Sequence, residues 1–385
     1  MPTSFLLLMR YPIKFLIILL LWFAPLKAAC QGNLLANPIA FDHVKKGLFY
    51  IYNTESEQAE KYIGQTEKLM PQHPVGPMMR ALNINWSANP IEADTEEFRK
   101  LIGHLQLSLD RTKNYLKNDP ENMEAVFFAM AIHSWLAQFY DEDGQTFKAL
   151  NAAKNAYQYM KVGFDLLDQS PEFYFSTGLY NYYRVQYPES NPVYKPFLWF
   201  FREGNKELGL SQLDHASNEA IFTRAEASMY LAHIYLRYED KPSQAVTYSS
   251  ELVHRFPGNI FFKINYTEAL LAAAEYNKAY PIIQKLLKEE KLFYRMSGEI
   301  FYAIYYEKHL KDTEVAKIWY RKSLESGKNL GARADNKKSL AYAGLARIAA
   351  ADRQVDEARD YYKTAMKLAQ YDGVKNEAKH YLRNN

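Results

Sequence analysis

The chain has 385 residues, 48% hydrophobic and 24% charged, which is the composition of a folded chain and not of a disordered one. Its single cysteine excludes a disulfide framework and every multi-cysteine zinc site. A formal charge of +3 over this length is too small to point to nucleic acid.

The first element is an apolar run. Residues 15–26 read FLIILLLWFAPL and are bracketed by Lys14 and Lys27. This is shorter than the about 20 residues that span a bilayer comfortably. With Arg10 and Lys14 before it and Ala28 and Ala29 after it, the run reads as a secretory signal peptide over 1–28. Leu26 and Ala28 suit the −3 and −1 positions for cleavage before Ala29. Two alternatives stay open. One is lipidation of Cys30, since Ala28-Ala29-Cys30 resembles the end of a bacterial lipobox, although Lys27 stands where that box carries an apolar residue. The other is an uncleaved membrane anchor. A second apolar patch over Ser4 to Met9 raises a start at Met9, which gives a tidier leader. The leader contains Arg10, Lys14 and Lys27 and no acid, so removing it takes Lys+Arg from 47 to 44, equal to the 44 Asp+Glu. The expected location is outside the bacterial cytoplasm, periplasmic or associated with the cell envelope.

Beyond the leader, small and large residues recur at fixed spacing. From Gly47, Tyr50 follows at +3, Ala59 at +12, Ile63 at +16 and Pro71 at +24. Near the C-terminus, Tyr342, Leu345, Ala346, Ala358, Tyr362 and Ala365 hold the same +12 step between small residues. The sets Ala232, Tyr235, Ala245, Leu252, Pro257 and Ala303, Tyr306, Ala316, Tyr320, Ser323 repeat it with a turn one residue longer. Ala279, Ile283 and Leu286 mark the second helix of a weaker unit whose first helix spans about 260–274. Small residues let paired helices approach, large ones fill the gap between them, and proline stops the second helix. On these positions the chain resembles the tetratricopeptide repeat (TPR) proteins of exported bacterial type, which implies an all-α solenoid that binds protein partners.

Between the recurring units, 95–117, 121–140, 146–167 and 172–186 show helical spacing, with breaks at Asp119-Pro120, 141–144 and Ser170-Pro171. The expected order is a linker and first unit over 29–71, divergent hairpins over 72–188, and a proline- and aromatic-rich loop with a helix over 189–223. Four TPR-like units follow over 224–370, with a capping helix over 371–385. Residues 196–250, with Gly209 and Ala216 on one helix face, also resemble the inclusion-body-clearance group of TPR proteins.

Enzyme signatures are absent from the sequence. No two of the nine histidines lie closer than 18 residues, so no helix carries a local metal-binding pair. The stretch Gly209 to Leu213 lacks the second glycine of a nucleophile elbow, and Ser326-Gly327-Lys328 lacks the upstream glycine of a phosphate loop. No catalytic residue, cofactor or metal is expected.

Two sets of binding residues stand out. Projecting the inner register of the first helices gives His233, Arg237, Glu268, Glu307, Lys308 and Arg347, a mixed-sign strip suited to a peptide. The second set lies within 173–201, where 12 of 29 residues are aromatic against 15% overall. There Tyr183, Tyr187, Tyr194 and Trp199 either stack on a ligand or wedge the two halves of the chain together, and Pro188, Pro192 and Pro196 are expected to interrupt the helix. The reading that follows is an exported, non-catalytic protein- or peptide-binding scaffold of unknown partner, touching the membrane only through its leader or Cys30. The alternative is a carbohydrate-binding envelope protein that uses the Tyr/Trp cluster.

Overall fold

A computed structural model describes residues 33–93, 95–190 and 201–385; the leader, Cys30, Tyr194 and Trp199 lie outside them. The described residues form seventeen α-helices and no strand. They pair in chain order. The first hairpins are α1 (Pro38–Tyr52) with α2 (Ser56–Leu69) and α3 (Val75–Ser87) with α4 (Glu96–Asn118). Next come α5 (Met123–Glu142) with α6 (Thr146–Asp165), and α7 (Glu172–Ser190) with α8 (Lys206–Glu219). The C-terminal half holds α9 (Arg224–Arg237) with α10 (Pro242–Arg255) and α11 (Ile260–Ala272) with α12 (Tyr276–Leu286). It ends with α13 (Leu292–Tyr305) against α14 (Thr313–Ser326), α15 (Asp335–Ala351) against α16 (Val355–Leu368), and the cap α17 (Asp372–Asn384). The chain is the all-α solenoid that the spacing predicts.

Helix starts are written in short polar side chains. Asn37, Thr95, Asn122, Asn205, Asn259 and Asp312 each accept a hydrogen bond from the backbone N–H three residues on. Such a cap is worth about 1 kcal/mol. The turns inside six of the hairpins share one device. Thr54, Gly144, Ala274 and Arg353 take left-handed φ near +60° to +70°. The following N–H then bonds a carbonyl five residues back, as in Glu55 to Tyr50 and Gln354 to Ala349. In the two units with the longer turn, Asp240 and Lys311 are left-handed, and Lys241 and Asp312 reach six residues back, to Tyr235 and Tyr306. The extra residue is taken up as a widened last turn, which after α13 is a stretch of π-helix, Tyr306–Leu310.

The small positions of the repeat are where helices meet. Ala59, Ala245, Ala279, Ala316 and Ala358 are all fully buried. The divergent α7 and α8 approach more closely still. A Cβ on Gly209 would lie 2.6 Å from the backbone nitrogen of Tyr182 and 2.8 Å from the carbonyl oxygen of Gly178. Pro188 sits inside α7, near its end, and does not interrupt it as the sequence suggests. It forfeits one bond, the N–H that would donate four residues back, and only two helical residues follow it. Pro192 and Pro196 lie outside the described residues.

The array closes on itself. One core cluster runs from Leu34 through Phe173 and takes in Ala225, Leu252, Phe256 and Phe262 from α9–α11; a second runs from Ile264 to Ile348. The Tyr52 hydroxyl lies against the carbonyl of Phe222, and the Asn259 side chain donates to the carbonyl of Tyr52 at 2.8 Å. Trp86 packs edge-on against Phe262 with ring centres 5.0 Å apart, and the Tyr294 hydroxyl donates to the carbonyl of Asn89 at 2.8 Å. The Arg333–Glu142 ion pair ties the end of α5 to the turn before α15. The concave side therefore encloses an interior.

Candidate functional site

Two cavities lie along the interior and share Gln138, Tyr183 and Tyr230 as lining. Helix α9 walls both. Glu226, Tyr230, His233 and Arg237 are spaced 4, 3 and 4 apart, so they fall on one face of that helix. Glu226 lines one cavity, His233 and Arg237 the other.

The polar chamber, of about 540 Å³, brings together α9, α11, α15 and the turn before α17. Glu268 on α11 is ion-paired with both Arg237 and Lys337. Burial alone would raise the Glu268 carboxyl, but those two cations outweigh it and hold it down at about 2. Glu268 is thus a fixed anion between Arg237 and Lys337, and burial lowers the Lys337 ammonium while the charge of Glu268 opposes the drop. The Arg237 guanidinium lies 5.1 Å over the Tyr371 ring, and His233 meets the same ring at 4.7 Å. Burial, with Arg237 nearby, lowers His233 to about 4, so its imidazole is neutral at physiological pH. Asn265, Asn336 and Gln370 supply uncharged donors and acceptors around the trio.

The apolar chamber, of about 400 Å³, is walled by Phe127, Phe128, Met130, Met160, Phe175 and Leu179, among others. Glu226 enters it. The Tyr52 hydroxyl donates to its Oε1 at 2.5 Å, while its Oε2 is shut off from solvent and has no hydrogen-bond partner. Burial lifts this carboxyl to about 7, with Tyr52 opposing the rise and the charge of Glu172 adding to it. Glu172 itself is satisfied. It accepts from the backbone N–H groups of Ile221, Phe222 and Thr223 at 2.6, 3.0 and 3.1 Å, and from the Thr223 hydroxyl at 2.9 Å.

The six strip residues projected from sequence separate into two groups. His233, Arg237 and Glu268 meet in the polar chamber. Glu307, Lys308 and Arg347 form a different network toward the C-terminal end. There Arg347 grips Glu307 through two bonds of 2.7 and 2.9 Å and also reaches Glu377 at 3.1 Å. The Tyr320 hydroxyl donates to Glu307 at 2.6 Å, and Lys308 approaches it at 3.1 Å. Arg347 is spent on holding α13, α15 and α17 together and does not face an open strip. Of the aromatic set, Tyr183 stands at the junction of the chambers, edge-on to Tyr182 and Tyr238. Tyr187 is 49% exposed.

The register missed Glu226, Tyr230, Asn265, Asn336, Lys337 and Tyr371. Glu226 was within reach, seven residues before His233 and so on the same helix face. Tyr371 and Lys337 had no local signal. They arrive from the start of α15 and the turn before α17, Lys337 by pairing with Glu268 on α11 and Tyr371 by meeting His233 and Arg237 on α9. Among the described residues no group of three or more His, Cys, Asp or Glu is placed to hold a metal, and no helix is long and apolar enough to cross a membrane.

No protein-family model matches the sequence, and no curated protein matches it. Among solved structures, a human IFIT1 dimer with PPP-AAAA is similar at a TM-score of 0.41 and 15% identity, over 83% of this chain and 69% of that one. Yeast Tom70 follows at 0.37 and 14%, over 81% of this chain and 64% of that one. The C-terminal part of a TPR repeat-containing protein from Cytophaga hutchinsonii stands at 0.36 and 16%, over 71% and 99%. These likenesses are distant, and the assignment rests on the helix pairs themselves. Stacked in chain order, six of them closed by left-handed turns and packed through buried alanines twelve or thirteen residues beyond the first small position, they make the chain an all-α solenoid of TPR-type helical hairpins.

Proposed function

We propose that this chain is an exported, non-catalytic scaffold that binds a short peptide segment in its enclosed interior. The observation that carries the reading is the stripe Glu226, Tyr230, His233, Arg237, which runs through both chambers on one face of α9. Its ends are eleven residues apart, about 16 Å along a helix axis. An extended peptide of about five residues has that reach. Apolar side chains of such a segment suit the aromatic chamber, and its acidic or carboxylate groups suit Arg237, Lys337 and the surrounding amides. Export is supported by the uncharged run over 15–26 between Lys14 and Lys27.

The binding reading is tested by selecting peptides from a random five-residue library on the full chain and measuring their affinity by fluorescence anisotropy. Asn265→Asp, which adds a negative charge to the polar chamber, is expected to weaken the selected peptides at least tenfold. Equal affinity for wild type and variant, or no enrichment at all, overturns it. Export is tested by the intact mass of the protein recovered from its producing cells. A mass beginning at Ala29, or at Cys30 with acyl chains, supports it, and an unprocessed chain in the cytoplasm refutes it.

A further inference from the structure

The apolar chamber has an electrostatic asymmetry that the peptide reading leaves unused. Among its described lining residues Glu226 is the only Asp, Glu, Lys, Arg or His. Glu268 and Glu172 are satisfied, the first by Arg237 and Lys337, the second by three backbone N–H groups and a hydroxyl, and Glu299 on α13, which also has an unbonded buried oxygen, has the Lys322 ammonium 3.5 Å from its other one. Glu226 has only neutral partners, Tyr52 on Oε1 and its own backbone N–H, and its Oε2 accepts no hydrogen bond. A carboxylate buried without a cation is costly, and one that persists in an aromatic chamber is set up to receive the missing charge from outside. The chamber walls favour the same occupant. Phe127, Phe222, Tyr183 and Tyr230 bring aromatic rings, which attract cations, to the wall, while Met130, Met160 and Leu179 add apolar area for whatever carries the charge.

We infer that the apolar chamber is a receptor for an ammonium group on an apolar body, namely the free amino terminus of a peptide that begins with a large apolar residue. This rests on the peptide reading and gives it a direction. The amino terminus pairs with the Glu226 carboxylate, the first side chain fills the Phe/Met wall, and the segment runs past Tyr183 and Tyr230. Its carboxylate end then lies near Arg237 and Lys337, about 16 Å away along α9. The groups facing Glu226 are Tyr52 on α1, the saturated Glu172 on α7 and Tyr230 on α9 itself, none of which supplies a positive charge.

The test uses the full chain and the pentapeptide Phe-Ala-Ala-Ala-Ala, its N-acetylated form, and phenethylamine, each titrated by calorimetry. The free peptide is expected to bind at least tenfold tighter than the acetylated one, and Glu226→Gln is expected to erase that ratio. In wild type the ratio should also shrink as the pH falls below about 7, where a proton competes for Glu226. The pH arm needs no variant and holds even if Glu226→Gln folds poorly. Equal binding of free and acetylated peptides overturns the ammonium inference and leaves the peptide reading standing. Binding of neither peptide, while library peptides still bind, rejects the proposed direction and chamber assignment. Phenethylamine binding as tightly as the free peptide rejects a peptide amino terminus in favour of a small amine.

Discussion

Glu307 shows what a single residue of this interior contributes. Burial would raise its carboxyl, but the bidentate bond from Arg347 and the Tyr320 hydroxyl outweigh burial and hold it at about 2. The folded state therefore favours the ionised form more strongly than the unfolded chain, where the carboxyl titrates near 4.5. Its stabilisation is complete above about pH 4.5 and is lost as the pH falls toward 2. Glu268 acts with the same sign, and Glu226, lifted to about 7, with the opposite one. Replacing Glu307 by Gln leaves Arg347 buried with only Glu377 to oppose it. Chemical denaturation at pH 7 should read a loss of about 3 kcal/mol, the low end for breaking a buried pair because one carboxylate remains. In the same variant the acid limb of stability against pH should flatten below pH 4.5. A variant as stable as wild type at pH 7 would mean that the pair is a surface contact.

At the scale of elements, the chain is a set of helix contacts each decided by one small residue, and this is why the hairpins were legible in the sequence. Gly47 and Ala59 share one hairpin and Ala232 and Ala245 another, so each spacing is fixed by helix length plus turn length and repeats along the chain. The α7–α8 contact was harder to read, because its small residues, Gly178 and Gly209, are 31 residues apart and follow no repeat period. Their structural weight is nonetheless large. A methyl group on Gly209 would meet backbone atoms of α7 at 2.6 and 2.8 Å, which no rotamer change relieves. Gly103, in the middle of α4, meets nothing within 4 Å. The same substitution should therefore act with opposite signs. Gly209→Ala should cost roughly 3 kcal/mol by forcing the helices apart, whereas Gly103→Ala should add roughly 0.8–1 kcal/mol through helix propensity. Thermal melts of the two variants read this directly, and a Gly209→Ala chain that melts like wild type would show that α7 and α8 do not approach so closely.

At the scale of the whole molecule, the interior chemistry comes from contacts that no local pattern carries. Tyr52 meets Glu226 across 174 residues, and Lys337 meets Glu268 across 69. Hairpin spacing predicts an array in which each unit touches its neighbours, with an open concave face. The chain instead brings α1–α3 against α9–α13, because Tyr52 and Trp86 pack on Phe256, Phe261 and Phe262, and Tyr294 on α13 donates back to Asn89. The two arrangements differ in cooperativity. In a nearest-neighbour array, damage to α3 stays within α2–α4. In the closed form it spreads to helices more than 150 residues away. Trp86→Ala removes the ring that contacts Tyr52, Phe261 and Phe262, and should destabilise by about 3–5 kcal/mol. Amide hydrogen exchange should then speed up together in α1, α3 and α11, while α16 and α17 keep their protection. Faster exchange confined to α2–α4 would mean that the ends of the array do not close, and the enclosed interior that defines both chambers would be lost with them.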